Sequence, residues 1–166
     1  HKDGKNKSLL LSSFLAVSVV SALYGWVQFF VLPDLKPLYY IGWDMHLYRL
    51  AGTFLDPTFL GLVIVFGLSI SLINLFDTGK KIYYPIIIFL LLSLAFTYAR
   101  AAYLAFFASL FVVGVYKGKL KKILGLIFVL IILVLILPTA KNKSIELTRT
   151  FSIEARIVNY REAIEV

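Results

Sequence analysis

IYYPIIIFLLLSLAFTYARAAYLAFFASLFVVGVY, residues 82–116, carries one charged side chain, Arg100, in an otherwise uncharged run. A helix needs roughly 20 apolar residues to cross the hydrocarbon of a bilayer. The run is too long for one crossing and reads as two, Ile82 to Ala99 and Ala101 to Tyr116, reversing at the arginine. The second is short and has to borrow flanking positions or tilt little. Arg100 then falls at a membrane interface rather than at the bilayer centre, where a cation costs at least about 2.5 kcal/mol.

Working outward, three more apolar runs of comparable length appear: Leu9 to Leu32, Thr58 to Phe76 and Leu120 to Pro138. The expected fold is all-α, a polytopic transmembrane helix bundle with five spans in one domain. Hydrophobic residues make up 60% of 166 positions and mean hydropathy is +0.88, more apolar surface than a soluble core of this size hides. No period-2 alternation recurs along the chain, which argues against a transmembrane barrel. The first run is too long for a signal-peptide core and is read as a retained span. The chain starts at His1 and stops at Val166 inside a helical pattern, so a piece of a longer protein is expected.

Composition also bounds the chemistry. There are no cysteines and two histidines, His1 and His46, so neither a thiolate nor a histidine metal site is expected. A phosphate-binding glycine loop is missing. Asp44 and His46 in GWDMHLYR offer a weak acid–base pair, and an interfacial loop rich in Trp and Tyr explains that segment equally well. No cofactor and no nucleic-acid partner is expected.

The cations are segregated by type. With a cytoplasmic N-terminus, all nine inner cations are lysine (Lys2, Lys5, Lys7, Lys80, Lys81, Lys117, Lys119, Lys121 and Lys122) against eight outer cations, so the count barely decides orientation and the lysine-dense short inner loops favour it more. All five arginines, Arg49, Arg100, Arg149, Arg156 and Arg161, fall on the outer side. Lysine suffices to orient a helix, whereas a planar guanidinium grips phosphate or carboxylate through two parallel hydrogen bonds. An anionic ligand on the outer face follows as an expectation, with snorkelling to lipid headgroups as the bland alternative.

Three segments supply the outer-face chemistry. In RLAGTFLDPTFLG, residues 49–61, Asp56 is a good N-cap and Pro57 a good first helical residue, so a helix with free amides and its positive dipole end should open at the outer surface. In TYARAAYLAFF, residues 97–107, Thr97 and Tyr98 stand beside Arg100 among small alanines that leave its head reachable. The tail 139–166 starts an outer loop and ends in an amphipathic interfacial helix from about Ser152, with Ile153, Ile157, Tyr160 and Ile164 on one stripe and Arg156 one turn before Tyr160.

Together these segments resemble one family. GTFLDPTFLG resembles a GTF-x-N/D-P-x-x-x-G element, TYARAAYLAF a T-x-S-R-G/A-A element between two spans, and FSIEARIVNYREAI an S-x-x-x-R-x-x-x-W-x-x-A element after the next span. They are similar to bacterial O-antigen ligases and O-antigen polymerases. Ala99 replaces the usual serine and Tyr160 the usual tryptophan.

The resemblance implies a metal-independent glycosyltransferase, multi-pass in the bacterial inner membrane. It would move glycan from a polyprenyl-pyrophosphate donor, a lipid-linked oligosaccharide or polysaccharide, to a glycan, lipid or protein acceptor. By motif, Arg100 and Arg156 hold the pyrophosphate, with Arg49, Thr53, Asp56, Thr97, Arg149 and Tyr160 as supporting candidates. The catalytic base, a histidine of a large outer loop, is expected beyond Val166. Two other readings remain at this stage: a transporter or channel for an anionic solute, and a membrane assembly protein whose arginines bind lipid headgroups.

Overall fold

Asp56 and Pro57 open the helix against which three others pack. The computed structural model describes residues 2–35, 37, 40 and 46–137. It contains α1 (Lys2–Val31), α2 (Pro57–Thr78), α3 (Tyr83–Thr97), α4 (Arg100–Tyr116) and α5 (Leu120–Ile136), with a 3-10 turn over Gly52–Phe54. Among the described residues there is no β-strand; Asp34 and Leu47 form an isolated antiparallel bridge.

The all-helical class is as the apolar runs imply. The five expected spans, however, reduce to five helices of which two, Asn6–Val31 within α1 and Pro57–Thr78, are long and apolar enough to cross a membrane. α3 has 15 residues and α4 and α5 have 17 each. At 1.5 Å per residue α3 reaches only about 22 Å, against a hydrocarbon thickness of about 30 Å. Its apolar run is longer than its helix because Tyr98 turns into the left-handed region, φ 50°, and Ala99 is extended. The expected tail helix and residues 138–166 lie outside the described residues.

α2 is the centre of the bundle: α1, α3 and α4 all pack against it, and α5 rests on α4 and α3. Two glycines let neighbours approach α2 closely, the device that packs helices without a hydrophobic driving force between them. A Cβ on Gly61 would stand 2.5 Å from Ala102 Cβ of α4, and one on Gly67 would stand 2.5 Å from Ser18 Cβ of α1. The Ser18 hydroxyl lies 2.9 Å from both the Phe14 and Val63 carbonyls, so it ties α1 to α2 at the same crossing. Trp26 of α1 donates its indole N–H to Ser93 Oγ of α3 at 2.9 Å.

The core follows the facing stripes. Leu60, Ile64 and Leu68 of α2 meet Leu90 and Leu94 of α3 and Phe106 and Leu110 of α4, all fully buried. The outside is apolar too, since each helix exposes large side chains: Phe14, Phe66, Ile88, Phe111 and Phe128, one from each in order. Such a surface needs an apolar surround. These contacts also set direction, because Gly61 with Ala102 and Asp77 with Lys117 make α2 and α4 parallel, while Gly114 against Ile123 makes α5 antiparallel to α4. One end of the bundle therefore gathers the end of α1, the starts of α2 and α4, and the ends of α3 and α5.

Candidate functional site

That end is built around the last turn of α3. A helix C-terminus leaves four carbonyls without intrahelical partners, and here tertiary donors take them. The Thr97 hydroxyl donates to Leu94 O (2.7 Å), the Tyr103 hydroxyl of α4 to Ala95 O (2.7 Å) and Leu50 N to Phe96 O (3.0 Å). Arg49 completes the set, with Nε donating to Thr97 O and Nη2 to Tyr98 O, both at 2.9 Å. Every carbonyl from residue 94 to 98 is thus held. The guanidinium also places positive charge at the negative end of the α3 dipole, where it stabilises the helix.

The loop that delivers Arg49 is itself fastened. Leu35 N donates to His46 O and Tyr48 N to Pro33 O, each at 2.9 Å, so residues 33–35 lie against 46–48. Gln28 in α1 donates its Nε2 to Leu32 O at 2.9 Å and accepts through Oε1 from Ala51 N at 3.0 Å and Gly52 N at 3.4 Å. Among the described residues three non-glycines adopt positive φ, Tyr48, Leu55 and Tyr98, and all three lie at this end. Left-handed backbone of this kind costs a residue with a side chain about 1–3 kcal/mol and tends to collect where geometry is enforced for use.

Asp56 caps α2 as its sequence suggests: Oδ1 accepts from Thr58 N at 2.6 Å and Phe59 N at 3.0 Å. The free amides expected there are therefore occupied by the protein's own carboxylate. At α4 the cap position is Ala99, with no side-chain cap. Arg100 is the first residue of α4 and is exposed. A cation at the positive end of a helix dipole costs a few tenths to about 1 kcal/mol at the surface. An anion bound there would gain from both charges.

The other expected site residues divide clearly. Arg49 is buried and committed to backbone carbonyls. Thr97 is fully buried, and its oxygen also accepts from Ala99 N at 3.3 Å. Tyr98 is buried as well. Thr53 is exposed on the 3-10 turn. Arg149, Arg156 and Tyr160, like Asp44, lie outside the described residues. His46 is buried in the loop beside Leu47.

Sequence reasoning missed Gln28, Tyr103 and the Trp26–Ser93 pair. A single amide inside YGWVQFFVL was the available signal for Gln28, because a polar group in an apolar helix needs a partner.

Beside this end, Tyr103 and Phe107 of α4 and Leu130, Ile131, Val134 and Leu135 of α5 line an apolar cleft of about 120 Å³. Compared with models of protein families, with curated proteins and with solved structures, the chain matches none of them.

Proposed function

We propose that the chain forms part of an integral-membrane glycosyltransferase of the O-antigen ligase or polysaccharide polymerase kind, in the bacterial inner membrane with its N-terminus in the cytoplasm. One observation carries the reading. The two described segments behind the family resemblance, residues 52–61 and 97–106, meet at one end of the bundle through the Gly61–Ala102 contact, and Arg49, just before the first, donates to the Thr97 and Tyr98 carbonyls of the second. Elements that only happened to match two motifs need not have met.

In this account Arg100 binds the pyrophosphate of a polyprenyl-linked donor, and Arg156 joins it from the tail. An acceptor hydroxyl attacks the anomeric carbon, the bond from that carbon to the pyrophosphate oxygen breaks, and the hydroxyl proton passes to a general base. Charge grows on the departing phosphate, and a preorganised guanidinium in a partly dry site stabilises it most at that moment. The five held carbonyls of residues 94–98 and the bonded loop supply the preorganisation, since they fix the corner that carries Arg100.

The test is the fate of the donor in cells producing the full-length protein with Arg100→Ala. Accumulated lipid-linked glycan and lost polymer or conjugate support the proposal. Normal glycan output, or a defect confined to uptake of an anionic solute, contradicts it.

A further inference from the structure

The opposite end of the bundle gathers lysines on a defined surface. Lys117, just past α4, pairs through Nζ with Asp77 Oδ1 in the last turn of α2. This pair holds the turn after α2 beside the turn after α4. Lys80 and Lys81 are exposed on the first turn, and Lys119, Lys121 and Lys122 on the second and the start of α5. From Gly61 to Lys143 the sequence contains no acid other than Asp77, which is already engaged. The start of α1, with Lys2, Asp3, Lys5 and Lys7 in its sequence, begins at this same end.

Apolar and aromatic side chains are interleaved with the lysines. Ile82, Tyr84 and Tyr116 are 62%, 55% and 82% exposed, so they are not core residues of this chain. Lys117 Nζ also lies 5.4 Å from the centre of the Tyr116 ring. Tyrosines at the level of lipid headgroups, with lysines just outside, form the pattern of a membrane–water boundary. A soluble acidic protein would match the charge but leave Ile82 and the tyrosine rings in water.

We infer that this end is a binding surface for anionic phospholipid headgroups, with lipid phosphate held between the Lys80–Lys81 turn and the Lys119–Lys122 segment. The inference rests on the chain being a membrane protein and not on its being a glycosyltransferase. A basic residue near an anionic surface contributes about 1 kcal/mol, or about fivefold in binding.

The full-length protein is reconstituted in nanodiscs of equimolar phosphatidylcholine and phosphatidylglycerol, and the lipid it retains after extraction is read by native mass spectrometry. The expected result is enrichment of phosphatidylglycerol over its bulk share, reduced by added salt. The double variant K121Q/K122Q should lower that enrichment by about fivefold per lysine until none remains, and K121R/K122R should retain it. Retention of the two lipids in their bulk ratio, or enrichment unchanged by the glutamine variants together with K80Q/K81Q, overturns the inference. Failure of the protein to enter bilayers of either lipid overturns instead the membrane reading beneath it.

Discussion

Arg49 holds Tyr98 by its carbonyl: Nη2 donates to Tyr98 O at 2.9 Å while Nε donates to the preceding Thr97 O at the same distance. The partners are 48 and 49 residues apart in sequence, so one side chain ties the segment between α1 and α2 to the corner that carries Arg100. Arg49 is therefore a cap before it is anything else.

Arg49→Gln removes the charge and leaves buried carbonyls short of donors. A hydrogen bond to a charged group is worth about 1.5–3 kcal/mol, and that much destabilisation is expected. Arg49→Lys keeps the charge but replaces the planar fork with a point donor, and should fall between the two. Unfolding in detergent by heat or SDS measures this. Wild-type stability for Arg49→Gln would contradict the capping role.

Gly61→Ala and Gly67→Ala set two effects against each other. Alanine favours a helix over glycine by about 0.8–1 kcal/mol. A Cβ at 2.5 Å from a neighbouring Cβ forces the helices apart, and overpacking of this kind costs about 1–3 kcal/mol. Net destabilisation is expected at both sites. Gly125→Ala in α5 is the control, because a Cβ there meets nothing within 4 Å and should be neutral or stabilising. Stabilisation at Gly61 or Gly67 would mean that α2 is not closely packed there.

Much of this arrangement is legible in the sequence where the chemistry is local. Asp56 followed by Pro57 starts α2 because a cap acts on amides two and three residues away, and apolar runs mark all five helices. The end of α3 is not legible in that way. Its apolar run continues through Ala99, but Leu50 and Arg49 take the carbonyls of residues 96–98 from a distance, and Tyr98 reverses the chain. The same non-local bonding hid the role of Arg49, which in sequence looks like one more outer-face cation. The place of Arg100 at the turn between α3 and α4 was legible because a lone charge in an apolar run is visible without knowledge of its neighbours.

Orientation is tested with a single cysteine, since the chain has none of its own. A cysteine placed after Lys119 should be protected from membrane-impermeant reagent in intact cells, and one at Thr53 should react. Labelling after Lys119 from outside would invert the topology and move the arginines to the cytoplasmic side.

Glycan transfer by the full-length protein should continue in EDTA, because the account assigns the leaving-group charge to arginine rather than to a divalent ion. Activity lost in EDTA and restored by Mg²⁺ or Mn²⁺ would contradict that assignment.

The most direct measurement compares turnover and donor binding for wild type and Arg100→Lys at matched expression, with Arg156→Lys beside it. Lysine keeps the charge at the first position of α4 and loses the bidentate fork, so a headgroup anchor would tolerate the change and a pyrophosphate grip would not. Contacts that strengthen as the leaving group gains charge act on turnover more than on affinity. A loss of about 1.5–3 kcal/mol corresponds to roughly 10- to 150-fold in rate. The account predicts a fall of that size in turnover with donor binding little changed, and near-normal turnover in both variants would contradict it.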